Sequence, residues 1–324
     1  MVGSLVLTVT RRCNLRCSYC PTVKDGFPSL TTEQALSALS LFEHIFGSGE
    51  VKLFGGEPLL EPETVRAVLA AAEQRPALKR VYLSTNGLGL DDAWLDSLAA
   101  NPKCILTLSL DGRPEDHRRL RRALPQVADS YDHVMQLLPR LTQAPRVVVT
   151  QTIAPATASN AADNFAHLLG LGFRRFNFLP GYYLAWRPEQ LRQLRESFAR
   201  MAAEITERWR HDEYVYVRNL FTWAPTPFFN SGMIVDSDGS IHPSNLGLSG
   251  ALADLLPETR VGGLDSPPTR ADLEAHAATV NQRLQTALAP AVWQSTLDVD
   301  RALTRFCRGL YAEFVRYRRR RRAA

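Results

Sequence analysis

Six short runs rich in β-branched and other apolar residues, Ser4–Thr10, Val51–Phe54, Val81–Ser84, Ile105–Leu110, Val147–Ile153 and Arg175–Leu179, recur along the chain with amphipathic segments between them. Strands separated by helical segments do not pair as tight hairpins; they pair in parallel, through right-handed crossovers. The alternation therefore predicts an α/β fold. Six βα units fall short of the eight that close a full barrel, so an open, partial (β/α)6 TIM-like barrel is expected over residues 1–185. Helix signals fit the intervals. Thr31 and Gln34 have the spacing of a capping box, and Glu61-Pro62-Glu63 opens the run Thr64–Gln74.

In such a sheet the reactive groups gather at the carboxyl ends of the strands. The polar motifs fall there. Cys13-Asn14-Leu15-Arg16-Cys17-Ser18-Tyr19-Cys20 follows the first strand, Gly55-Gly56-Glu57-Pro58 the second and Ser84-Thr85-Asn86-Gly87 the third, while Ser109-Leu110-Asp111-Gly112 ends the fourth. Four loops thus converge on one mouth. Ser109 and Asp111 alternate with Leu108 and Leu110, which directs them to the barrel interior if the leucines pack on helices.

Three cysteines spaced by four and then three residues can hold three irons of a [4Fe–4S] cubane, which leaves one iron open to a ligand from outside the protein. A structural zinc site needs four ligands, and the nearest histidine is His44. A disulfide framework belongs to small, cysteine-rich secreted domains, whereas this chain has five cysteines in 324 residues. Cys104 shares strand parity with Leu106 and Leu108 and reads as a packing residue. Cys307 lies on an amphipathic terminal segment, where packing is again expected and hydrogen-atom donation is the alternative.

A hydrophobic content of 45% supplies a real core. The apolar start runs straight into Arg11 and Arg12 with no cleavage site, and no stretch is long enough to span a bilayer, so a cytoplasmic protein without membrane contact is expected. Arg316 and Arg318–Arg322 more than account for the net charge of +5. Such a run reads as a solvated helix end, and a nucleic-acid partner is not expected.

After Pro180 the pattern changes. Pro188–Arg210 places Leu191, Leu194, Phe198, Met201 and Ile205 at helical spacing. Gly232–Val235 and Ile241 flank the turn Asp236-Ser237-Asp238-Gly239, and Asp300–Arg322 reads as a helix. Residues 186–324 are therefore expected to hold a helix, a small α+β extension and a terminal helix with an arginine-rich tail.

The cysteine motif with Tyr19 before its third cysteine, together with Gly55-Gly56-Glu57-Pro58, resembles the radical S-adenosylmethionine (radical SAM) superfamily over about residues 1–185. The resemblance implies one [4Fe–4S] cluster on Cys13, Cys17 and Cys20, with the amino and carboxylate groups of S-adenosyl-L-methionine on the open iron. It implies cofactor contacts from Tyr19, Gly55, Gly56, Glu57, Pro58, Asn86, Ser109 and Asp111. One arginine of the group Arg118, Arg119, Arg121 and Arg122, with Arg121 and Arg122 preferred, would bind the cofactor carboxylate. Flavodoxin or ferredoxin would deliver an electron, and a 5′-deoxyadenosyl radical would take hydrogen from a substrate. The residues themselves agree: glycines let backbone approach a ligand closely, and Glu57 offers an acceptor for an ammonium.

Ser109-Leu110-Asp111-Gly112, with the Asp116-His117 that follows, is most similar to the SPASM/Twitch-type subgroup, whose extension carries auxiliary clusters. Met233–Ser244 resembles the opening hairpin of that extension, with Ser244 where a ligand cysteine is expected, and Arg260-Val261-Gly262-Gly263-Leu264 resembles a later part. Only Cys104 and Cys307 remain for auxiliary ligands, so a single cluster and a degenerate extension are expected. The subgroup implies a ribosomally synthesised peptide as substrate. Since the sequence starts at the first strand, either a separate leader-binding protein or the carboxyl-terminal region itself is expected to hold the peptide. The alternatives are a small metabolite such as a sugar, amino acid or cofactor precursor and, outside catalysis, a SAM-binding iron–sulfur sensor or scaffold. Tyr182, Tyr183, His242 and Asn245 are the substrate-contact candidates, and Cys307 the candidate hydrogen-atom donor.

Overall fold

The computed structural model describes residues 3–222, 232–244 and 255–323. Strand β1 (Gly3–Thr10) leads into the cysteine loop, whose middle forms β2 (Leu15–Cys17). There follow α1 (Thr32–Phe46), β3 (Gly49–Gly55), α2 (Pro62–Glu73), β4 (Leu78–Thr85), α3 (Asp92–Ala100) and β5 (Cys104–Ser109). The next crossover holds α4 (Pro114–Leu120), β6 (Arg121–Ala123), α5 (Ser130–Gln136) and α6 (Leu138–Gln143). Then come β7 (Val147–Ile153), α7 (Ala161–Gly170), β8 (Arg175–Pro180) and the long α8 (Pro188–Arg210). The remainder comprises β9 (Tyr216–Val217), β10 (Met233–Val235), β11 (Ser240–His242), α9 (Leu256–Thr259), β12 (Gly262–Gly263), α10 (Arg270–Ala287) and α11 (Pro290–Ala323).

The six expected strands are β1, β3, β4, β5, β7 and β8, neighbours in that order and all parallel, in an α/β partial barrel. The sheet is wider than the sequence suggests, because β9 adds in parallel to β8 and β10 in parallel to β1. Strands of two and three residues carry no readable periodicity. The hairpin of β10 and β11 turns at Gly239, whose φ of 82° favours glycine, and β12 pairs with β11. The carboxyl-terminal strands thus continue the barrel sheet itself.

Strand parity separates inside from outside. Leu5, Leu7, Val51, Leu53, Val81 and Leu83 share one fully buried core with Ala35, Leu39 and Phe42 of α1. The alternate residues face the barrel interior: Val6, Lys52 and Tyr82 lie in register across β1, β3 and β4, and Ser84 pairs with Thr107 one row nearer the carboxyl ends. Cys104 is buried in the core, as its parity implies. Leu191, Leu194, Phe198, Met201 and Ile205 of α8 are buried, and Phe198 stacks on Phe306 of α11 with ring centres 4.9 Å apart. Phe306 also meets Phe178 of β8, so α11 lies against the open side of the barrel. Among the described residues no helix is long and apolar enough to cross a membrane.

Candidate active site

The cysteine loop is held from two sides. On one, β2 pairs antiparallel with β6, which sets Cys17 opposite Arg121, and Ser18 N–H donates to Leu120 O at 2.8 Å. On the other, Gly56 N–H donates to Thr10 O and Glu57 N–H to Arg12 O, at 2.7 and 2.8 Å. This second seam gives the glycines a structural role beside the expected one. A Cβ on Gly55, at φ 141°, would stand 2.1 Å from Thr10 O, and one on Gly56 would stand 2.1 Å from Arg12 O. The backbone that requires glycine there is the chain's own cysteine loop.

Cys13, Cys17 and Cys20 are unpaired by disulfides and half-buried. Burial raises the Cys13 thiol, with the Leu15 N–H, 3.4 Å from its sulfur, acting in the other direction. Burial raises Cys17 to about 11, and the facing Arg121 offsets only part of that. For Cys20 burial also opposes the thiolate, but the Lys24 ammonium, with Nζ 3.2 Å from Sγ, and hydrogen bonds from Thr22 together outweigh it and the pKa is lowered. Among the described residues no three Cys, His, Asp or Glu side chains close on a single metal ion. A cubane makes a different demand, since each cysteine takes its own iron, and three soft sulfur donors with an adjoining cavity fit it.

Glu57 is almost fully buried and organises the second loop. Its carboxylate accepts from Thr85 Oγ1 (2.7 Å), Asn86 N–H (2.7 Å) and Leu59 N–H (3.1 Å). Burial raises its pKa despite these donors. The Asn86 amide spans two loops: Nδ2 donates to Asn14 Oδ1 at 2.7 Å and Oδ1 accepts from Leu88 N–H at 3.0 Å.

Asp111 is the hub of the opposite wall. It accepts from Arg121 Nε and Nη2 at 2.9 and 3.0 Å, from the Tyr19 hydroxyl at 2.9 Å and from Thr152 N–H at 2.9 Å. Behind it, Asp111 N–H donates to His117 Nδ1 at 3.3 Å, and His117 Nε2 meets Ser130 Oγ at 2.9 Å. Burial disfavours a charged Arg121, but Asp111, with Tyr19 and Cys17 beside it, prevails and its pKa is raised.

A cavity of about 220 Å³ opens at the mouth, lined by Cys13, Cys17, Cys20, Tyr19, Gly55, Gly56, Glu57, Asn86, Ser109, Arg121 and Tyr182. Other expected residues lie elsewhere. Asp111, two residues past the end of β5, turns its carboxylate to Arg121, Tyr19 and Thr152 and does not line the cavity. Pro58 starts a short 3-10 turn beneath the loop, and Arg122, the solvent-facing neighbour of Arg121, is exposed. Arg118 is engaged by Asp129 and Asp132 at the surface. Tyr183 is buried behind the mouth with its N–H on Thr296 Oγ1 at 3.1 Å. His242 is enclosed between Ser240 and Thr259 and does not line the cavity. Asn245 lies outside the described residues.

A second cavity of about 420 Å³ adjoins the first, sharing Phe54, Ser84, Thr107, Thr150, Leu179 and Tyr182 as walls. Its outer side is α11, which contributes Asp300 and Cys307. Burial pushes the Asp300 carboxyl up to about 6, and the Tyr182 hydroxyl donates to it at 3.4 Å. Burial pushes Cys307 up to about 12, so it stays a thiol at neutral pH. The wide surface groove between α8 and α11 shares no residue with the mouth. Sequence reading missed Lys24, Lys52 and Arg218. Parity with Phe54 could have placed Lys52 inside the barrel, whereas nothing local marks Lys24 or Arg218.

Residues 7–155 match the model of the radical SAM superfamily. GTP 3′,8-cyclase of Rhodococcus opacus is 30% identical over 168 residues, which are 49% of this chain and 46% of that protein. GTP 3′,8-cyclase of Synechocystis is 38% identical over 115 residues, 34% of each. The chain thus spans half or less of the curated relatives it matches. Among solved structures, anSMEcpe with bound AdoMet and Cp18Cys peptide superposes with a TM-score of 0.69 at 18% identity, over 83% of this chain and 79% of that one. Streptococcus suis SuiB gives a TM-score of 0.61 at 14% identity, over 82% and 64%. At these identities the likeness is one of fold.

Proposed function

We propose that residues 7–155, which match the radical SAM superfamily, are the radical SAM domain of an enzyme acting on a small metabolite held in the second cavity. The domain's cofactors are a [4Fe–4S] cluster and S-adenosylmethionine, which when bound supply hydrogen abstraction through a 5′-deoxyadenosyl radical. Cys13, Cys17 and Cys20 hold the cluster in this reading, and Lys24 stabilises the Cys20 thiolate. Glu57 accepts the methionine ammonium on lone pairs that Thr85, Asn86 and Leu59 leave over. Arg121, with two of its five N–H groups on Asp111, directs the others and Ser109 toward the carboxylate. Tyr19 and Asp111 position Arg121, and Asn86 braces the cysteine loop. Phe54, Leu179 and Tyr182 line the passage between the cavities and keep water from the reacting atoms. Flavodoxin or ferredoxin supplies the electron.

The second cavity carries the choice of substrate. It is roomy enough for a small molecule and is closed on the barrel's open side by α11. The curated relatives support the same choice, since GTP, for which they are named, is a small metabolite. The expected peptide substrate draws support from fold alone, through structures such as SuiB bound to precursor peptide SuiA. A labelling experiment separates the two. Reconstituted enzyme receives SAM, dithionite and either a deuterated low-molecular-mass extract or the deuterated peptide fraction of the same cells. Deuterium in 5′-deoxyadenosine from the small-molecule pool alone is the expected result; transfer from the peptides alone would establish the peptide reading.

A further inference from the structure

Lys52 and Arg218 stand in the wall of the second cavity, and neither forms an ion pair among the described residues. Their proximity follows from the fold. Lys52 of β3 lies in register with Tyr82 of β4, both pointing into the barrel. Arg218 follows β9 and lays its guanidinium over the Tyr82 ring, 4.0 Å from the ring centre. Two cations therefore flank one aromatic side chain. The nearby carboxylates are occupied: Glu50 accepts from Arg80 and Tyr82 at 3.3 and 3.4 Å, and Asp300 accepts from Tyr182. Burial first, and the charge of Arg218 second, lower the Lys52 pKa, and the Glu50 carboxylate offsets only part of this.

Like charges side by side in a pocket of low dielectric are unfavourable until an anion joins them. A guanidinium fork beside an ammonium matches phosphate or carboxylate oxygens. We infer that the substrate is an anionic small molecule whose phosphate or carboxylate sits between Lys52 and Arg218. That group would lie at the end of the second cavity away from the cysteines, because Lys52 is one inward-facing row below Phe54, which lines both cavities. The rest of the molecule then extends past Tyr182 toward the first cavity. Calling the anion a substrate rests on the function proposed above; the anion site itself does not.

The test is calorimetric titration of the reconstituted, SAM-loaded protein with inorganic pyrophosphate and, separately, with succinate. Saturable binding of at least one is expected, weakened at least ~10-fold by Lys52→Met and by Arg218→Gln. Lys52→Arg, which preserves the charge, should retain binding within a few-fold. Iron content and dithionite-driven SAM cleavage, measured on each variant, report folding and the proposed chemistry independently. If neither anion binds, or if the variants bind like the parent, the inference is wrong. Loss of SAM cleavage in the parent with anion binding intact would instead overturn the proposed function and leave the anion site standing.

Discussion

Arg11, the first residue past β1, is bound by Asp236, which opens the turn between β10 and β11, across 225 positions of sequence. Both side chains are 1% exposed, and Arg11 also stacks on Phe27 at 3.6 Å. The carboxyl-terminal hairpin thereby fixes the residue that starts the cysteine loop. Removing Asp236 leaves a buried guanidinium without its partner, which costs on the order of 3–5 kcal/mol. Asp236→Ala should lower the urea midpoint accordingly and reduce iron retention, while Arg11→Met with Asp236→Leu should recover most of the loss. Unchanged urea curves for Asp236→Ala would refute the coupling.

Gly56→Ala tests the seam between the second loop and the cysteine loop. The added methyl would meet Arg12 O at 2.1 Å, with Arg11 O at 2.3 Å, and both are backbone atoms with little room to retreat. Destabilisation by roughly 1–3 kcal/mol is expected, together with poor cluster incorporation, read by visible absorption after reconstitution. Ala at Gly170, where nothing lies within 4 Å, serves as the tolerated control.

Asp111→Asn keeps the shape of the hub and removes its charge. Arg121 then loses a bidentate carboxylate, and hydrogen bonds to charged groups contribute about 1.5–3 kcal/mol. SAM affinity of the reconstituted protein should fall about 10-fold or more, with iron content unchanged. Arg121→Met should have at least as large an effect and Arg122→Met almost none, since Arg122 is exposed. Equal losses at the two arginines would contradict this placement.

His117 gives the fold a pH dependence. Burial lowers its pKa from 6.5 to about 4. It accepts the Asp111 N–H at Nδ1, so the neutral ring donates from Nε2 to Ser130. The folded state binds this proton more weakly than the unfolded state. The stability is therefore complete above about pH 6.5 and is lost progressively as pH falls toward 4. A loss of up to ~3 kcal/mol is expected over that window, from denaturant titrations at stepped pH. His117→Gln should flatten the profile, and an unaltered profile in that variant would assign the dependence elsewhere.

Much of this site is legible in sequence because parallel strands place their loops at one end. Cys13, Gly56, Asn86 and Arg121 meet for that reason, and the parity of Ser109 with Leu108 was enough to send it inward. Local pattern fails where partners are remote or where an element is short. Nothing near Arg11 announces Asp236, and nothing near Lys52 announces Arg218. Asp111 was read as a ligand contact because its strand parity is right. Its oxygens are nevertheless taken by Arg121, Tyr19 and Thr152, partners that only the closed barrel reveals.

The central claim is that three cysteines hold one cubane with an iron left for S-adenosylmethionine. Anaerobic reconstitution followed by dithionite-driven cleavage of SAM tests it most directly. The account predicts about four irons per chain, 5′-deoxyadenosine as product, and loss of that product in Cys17→Ala. Cleavage that persists in Cys17→Ala, or a parent protein that binds its iron but never forms 5′-deoxyadenosine, would contradict it.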